Sequence, residues 1–212
     1  MDHLILPSLR RRLPWRGFPI TPGSASYTSP GTYSLVVPAN FNTFVIDARG
    51  AGGGGGGAGC YYPPVQYGSA GAAGGASYVT IPGWASVIGY AGDGGGAAVY
   101  TGSFTWNDGA GGAHGTAVNG DSNITGGGAA GGGGGNQYGG YNPNPRSVGG
   151  AGGYGGRAVR TFTKQQLIVQ PRQTLTIVVG GTGPAGANSP CSGSVYAVPQ
   201  PGGAGAVYIS WS

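Results

Sequence analysis

The sequence predicts an all-β fold, a small β-sandwich-like sheet carrying a glycine-rich insertion. Three observations predict it. Segments of alternating apolar residues recur along the chain, and none has a helical period with caps. Glycine is 51 of 212 residues, against about 7% in ordinary chains. Glutamate is absent and Lys164 is the only lysine, so solvated amphipathic helices have little to build a polar face from.

Residues 1–26 read apart from the rest, as a basic N-terminal arm ahead of a body at 27–212. Arg10, Arg11, Arg12 and Arg16, less Asp2, put +3 of the chain's +5 here. The apolar Leu4-Ile5-Leu6 precedes the arginines, the reverse of a secretory signal. Two readings stand. One is a solvated tail. The other is a docking arm, in which the leucines, Ile5, Trp15 and Phe18 fill pockets while the arginines meet acidic groups. Three adjacent arginines without a folded basic face are a weak nucleic-acid footprint.

The strands follow in order. Thr32–Val37 lies between Pro-Gly and Pro-Ala-Asn turn signals. Phe44, Ile46 and Ala48 alternate with Val45, Asp47 and Arg49. Further candidates are 76–81, 85–90, 157–164, 175–179 and 206–211, the last two with clean alternation. Residues 164–168 allow one helical turn at most.

Glycine runs fill the intervals, at 50–59, 68–76, 92–97, 109–115, 126–135, 149–156, 180–187 and 202–206. One such run alone reads as a flexible linker. Eight bracketed by strands read as ordered, with glycine as the packing residue. The predicted form is a polyglycine-II helix bundle, whose amides bond neighbouring segments. Asn107-Asp108, Asn119-Gly120-Asp121 and Asn142-Pro143-Asn144-Pro145 have turn chemistry and read as the loops between segments. For Cys60 and Cys191, one disulfide and two buried thiols both remain open.

Four segments carry a resemblance. Thr28-Ser29-Pro30-Gly31-Thr32-Tyr33-Ser34-Leu35-Val36-Val37-Pro38-Ala39 opens the body. Phe44-Val45-Ile46-Asp47-Ala48-Arg49 leads into Gly50-Ala51-Gly52. Val169 to Gly181 holds the strand Leu175-Thr176-Ile177-Val178-Val179. Gly202 to Trp211 closes the chain. In this order the set resembles the glycine-rich domains of bacteriophage tail fibre proteins. The middle is similar in composition to the polyglycine-II tips of phage adhesins, in which specificity resides in loops. The resemblance implies a virion protein with a role in host attachment, and no catalytic residues.

No reaction chemistry emerges from the residues themselves. The P-loop pattern is absent, and GxGxxG matches mean little in a chain this rich in glycine. His3 and His114 form no zinc-ligand spacing with the cysteines. Asp93, Asp108 and Asp121, with His114, read as turn residues rather than a carboxylate site. No cofactor or metal is expected. The aromatic clusters are more informative. Tyr61, Tyr62 and Tyr67 form one; Tyr100, Phe104, Trp106, Asn107 and Asp108 a second; Tyr138, Tyr141 and Asn142 a third. Rigid rings beside amide and carboxylate groups have a paratope-like composition. Receptor contact and structural packing are both open for them.

The resulting expectation is a non-enzymatic phage virion protein, a fibre or spike tip adhesin that binds a host surface glycan or outer-membrane protein. It is expected to be multimeric in the particle and to bind no nucleic acid. Its arm would join other virion proteins through Leu4, Ile5, Leu6, Arg10, Arg11, Arg12, Trp15 and Arg16. The alternative is a purely structural virion subunit: capsid decoration, collar or fibre joint.

Overall fold

A computed structural model describes residues 19–60, 65–102, 105–138, 146–166, 168–190 and 195–212. The strands are β1 (Gly23–Tyr27), β2 (Gly31–Val36), β3 (Thr43–Arg49), β4 (Ser77–Thr80), β5 (Val87–Gly89), β6 (Val99–Gly102), β7 (Thr105–Asn107), β8 (Ala117–Val118), β9 (Ser122–Ile124), β10 (Asn136–Tyr138), β11 (Arg146–Val148), β12 (Arg157–Thr163), β13 (Thr174–Val179), β14 (Val195–Ala197) and β15 (Ala206–Trp211). They form four sheets, ordered β1-β15-β3-β12-β9, β2-β13-β4-β5-β8, β11-β10-β14 and β6-β7.

The two five-stranded sheets face each other across one core. Phe44, Ile46 and Ala48 of β3, Phe162 of β12, and Val207 and Ile209 of β15 meet Leu175, Ile177 and Val179 of β13, Val79 of β4 and Val87 of β5. The period-2 alternation of each strand puts these residues on one side. Residues 23–26 belong to this body, because β1 pairs along its whole length with β15, from Gly23↔Trp211 to Tyr27↔Val207.

The expected architecture, one sandwich-like sheet with an inserted polyglycine-II helix bundle, is corrected. The regular structure among the described residues is four β-sheets plus a single 3-10 turn at Lys164–Gln166. The glycine runs carry no helix and continue the strands instead. β3 lies between β12 and β15. Beyond Arg49 the same neighbours persist. Gly50, Gly53 and Gly56 donate to the carbonyls of Gly156, Gly153 and Gly150, while Gly52 and Gly55 donate to those of Gly203 and Gln200. Ala51, Gly54 and Gly57 donate to a third neighbour, at Gly75, Ala72 and Ser69.

The carbonyls of the same run accept from three more segments. Gly92, Gly95 and Ala98 form one, Ala129, Gly132 and Gly135 the second, and Gly183, Gly186 and Ser189 the third. The run is thus the centre of a lattice of extended chain in which hydrogen bonds run between segments. Each of these neighbours recurs at every third residue, so the run is straight. This arrangement satisfies the buried amides of a stretch that has no side chains to bury.

Close approach is what requires glycine here. A Cβ on Gly53 would lie 1.9 Å from the carbonyl oxygen of Asp93. No rotamer change relieves a contact with backbone.

On the outer face of the β1-β15-β3-β12-β9 sheet, Asp47 is clamped by two arginines. Arg157 donates from Nε and Nη2 at 2.9 Å each. Arg49 donates from Nη2 at 2.8 Å and stacks over the Tyr208 ring at 4.7 Å. Burial pushes the Asp47 carboxyl upward, but the hydrogen bonds and charges of Arg157 and Arg49 outweigh it, and its pKa falls below the ordinary 3.8. A carboxylate with a depressed folded-state pKa contributes stability that is present above its unfolded pKa. That contribution is lost as pH falls through the folded value. Asp47→Asn is therefore expected to destabilise the protein by roughly 1–3 kcal/mol at neutral pH, since both arginines are about one-third exposed. The difference from wild type should shrink below about pH 4. Thermal unfolding of both proteins from pH 2 to 7 checks this.

Candidate functional site

Strand β3 and the glycine run set the long axis. The run from Gly50 to Gly59 spans roughly 30 Å as extended chain, and β3 adds about 20 Å behind it. At the rear end lies the point where the arm joins. Gly23 pairs with Trp211, Trp211 pairs with Phe44, and the Trp211 indole donates to the Thr21 carbonyl at 3.1 Å. At the front end lie Gly59 and Cys60, with Tyr67, Tyr100, Trp106, Asn107 and Asp108 of the residues that the sequence put forward for receptor contact.

Cys60 is buried and disulfide-bonded. The chain has one other cysteine, Cys191, which lies outside the described residues. Cys60 also exchanges backbone hydrogen bonds with Gln66, at 2.9 and 3.1 Å. Beside it stands the β6–β7 hairpin, in which Tyr100 pairs with Trp106. The hairpin turns at Gly102, whose φ of +96° suits glycine. The Thr105 hydroxyl ties the turn by donating to the Gly102 carbonyl at 2.6 Å.

Trp106 is the hub. Its ring lies on Gly59, where a Cβ would fall 2.3 Å from the indole. Tyr67 and Tyr100 meet it edge-on, with centroids at 6.0 and 5.3 Å. Tyr67 thus joins Tyr100 and Trp106, far from it in sequence, in one aromatic surface. Tyr67 is 57% exposed, whereas the Trp106 Nε1 is buried without a partner among the described residues. Trp106 anchors, and Tyr67 presents. Asn107 and Asp108 are exposed at the same end, and Asp108 Oδ1 accepts from the Val148 amide at 3.2 Å.

The sheet β11-β10-β14 backs this surface, with β7 against β11. Its buried side is polar. The Ser147 hydroxyl donates to the Gly59 carbonyl, and Gln137 Oε1 accepts from the Ser189 hydroxyl at 3.3 Å. Asn188 replaces a glycine-run neighbour with its side chain. Its Oδ1 accepts from the Ala58 amide at 2.8 Å, and its Nδ2 donates to the Ala197 carbonyl at 2.9 Å. Gln137, Ser147 and Asn188 escaped the sequence reading. Single polar residues in glycine-rich context give no signal of burial.

Tyr61, Tyr62, Phe104, Tyr141 and Asn142 lie outside the described residues, as do Leu4, Ile5, Leu6, Arg10, Arg11, Arg12, Trp15 and Arg16. Tyr138 is placed by its backbone, as the last residue of β10. The weak carboxylate grouping is dispersed. Asp121 pairs with Arg160 at 2.9 Å, Asp108 holds Val148, and His114 Nδ1 accepts from the Tyr154 amide at 2.9 Å. No metal-holding cluster of His, Cys, Asp or Glu occurs among the described residues. Compared with family models, curated proteins and solved structures, the chain matches none of them.

Proposed function

We propose that this chain is a non-enzymatic bacteriophage virion protein, the tip adhesin of a fibre or spike. In this reading the arm joins it to other virion proteins, and several copies serve one particle. The front aromatic surface binds a host surface glycan or outer-membrane protein. The observation that carries the reading is polarity. The arm joins at one end of a straight glycine lattice, and an exposed tyrosine on an anchored aromatic hub sits at the other. An extended body with attachment and aromatic contact at opposite ends is what a tip protein requires. Tyr67 combines exposure with a rigid backing, the condition under which an aromatic contact contributes strongly to binding.

A purely structural role is the second reading, favoured by the way Trp106 turns its polar atom inward. Binding of the labelled full chain to susceptible and resistant bacteria separates the two. Saturable binding to susceptible cells alone is expected. Tyr67→Ala should weaken it at least about tenfold, the range of a hot-spot truncation, with an unchanged melting temperature. Equal binding to both cell types, or none from a folded sample, would sink the adhesin reading.

A further inference from the structure

The two large sheets differ on their outer faces. The β2-β13-β4-β5-β8 sheet shows Ser34, Thr80, Thr174 and Thr176 beside Val36, Val178 and Tyr78, and its described strands carry no charge. The opposite sheet carries the Asp47 clamp. A solvated β-face has no need of a buried carboxylate held by two guanidiniums, as the first sheet demonstrates within the same molecule.

The clamp leaves one positive charge over. Asp47 accepts from Nε and Nη2 of both arginines. The Nη1 donors of Arg49 and Arg157 make no hydrogen bond among the described residues, and each side chain is about one-third exposed (37% and 34%). Half-buried Val45, Val159 and Tyr208 surround the clamp, and exposed Ser24, Ser26 and Ser210 form a rim. Together with Asp47 and Arg157 they line a concavity of about 300 Å³. An apolar centre with Tyr and Arg, inside a hydroxyl rim, is the anatomy of a protein interface.

We propose that this face docks an acidic surface of another protein in the particle. The inference rests on the virion reading above and extends it from the arm to the folded body. Charge selects the occupant. The face is net positive, and the first 16 residues, which lead toward β1 at its edge, carry +3. This chain's own arm and a second copy of the face are both repelled. A partner presenting carboxylates complements the face.

The test uses phage particles assembled without this protein, mixed with the full chain over a salt series. Ser26→Glu/Ser210→Glu adds two carboxylates to the rim and leaves Asp47, Arg49 and Arg157 themselves unchanged. Ser26→Arg/Ser210→Arg adds equal bulk with the opposite charge. The wild type should join, less well as salt rises. The Glu pair should join at least tenfold less well and the Arg pair as well or better, all with equal melting temperatures. If wild type and both variants join alike, the docking face is wrong and the virion reading stands. If both variants lose joining equally, the acidic partner is wrong. If wild type itself does not join, the virion reading fails and takes this inference with it.

Discussion

Gly53→Ala should destabilise the protein by at least about 4 kcal/mol, beyond ordinary overpacking and in the range that marks a specific structural fault. The added methyl would meet the Asp93 carbonyl oxygen at 1.9 Å and its carbon at 2.3 Å. Those atoms belong to a segment fixed by its own bonds, the Asp93 amide to Ala113 and the Asp93 carbonyl to Gly153. Relief requires moving whole segments, so the damage spreads through the lattice. Gly133→Ala is the matched control. It lies in another glycine run, its added methyl meets nothing within 4 Å, and its φ is not positive. Its stability should change by less than about 0.5 kcal/mol, or rise slightly as the unfolded chain loses freedom. Urea unfolding of the two variants side by side decides the matter. Equal small effects would mean that the central run is not closely packed.

Removing the disulfide at Cys60 should lower stability by roughly 2–4 kcal/mol. Cys191, the only other cysteine, lies 131 positions further along (191 − 60). A bridge closing so long a loop restricts the unfolded chain strongly, though measured gains fall below the simple chain-entropy value. At about 2–4 °C per kcal/mol for a chain of this size, the melting temperature should fall by roughly 5–15 °C on reduction or in Cys60→Ser. Cys60 sits beside the aromatic surface rather than between the large sheets. Binding to cells should therefore be lost at lower temperature than the sheets themselves. Thermal scans with and without reductant, followed by far-UV circular dichroism and by cell binding, separate the two events. An unchanged melting temperature on full reduction would contradict the account.

The long strands were legible because each interleaves apolar residues that belong to one core. Ile46, Ile177 and Ile209 announce their faces in sequence and occupy them in the structure. Strands β6 to β11 and β14 have two to four residues each. They owe their existence to pairing partners, so no local pattern marks them. β1, Gly-Ser-Ala-Ser-Tyr, was hidden in the arm for the same reason. Its side chains are mostly small and polar, and only the register with β15 makes it a strand.

The glycine runs announced that they were ordered but not how. Without side chains there is no period from which to read neighbours, and a bundle of helices was inferred where strands simply continue as bonded extended chain. At the front end the aromatic residues stood out in sequence. Their convergence on Trp106 did not, since it depends on the bare surface of Gly59. The Asp47 clamp was equally invisible, because Arg157 reaches it from a strand 110 residues away.

The most direct test of the lattice is amide hydrogen exchange at Gly52 to Gly57, each of whose N–H groups donates to another segment at 2.7–2.9 Å. These amides should exchange as slowly as those of Ile46 and Ile177 in the core strands, through global unfolding only. Exchange within the dead time of the experiment, while the core strands stay protected, would show the glycine runs to be loose connectors. The straight body on which the functional reading depends would then not exist.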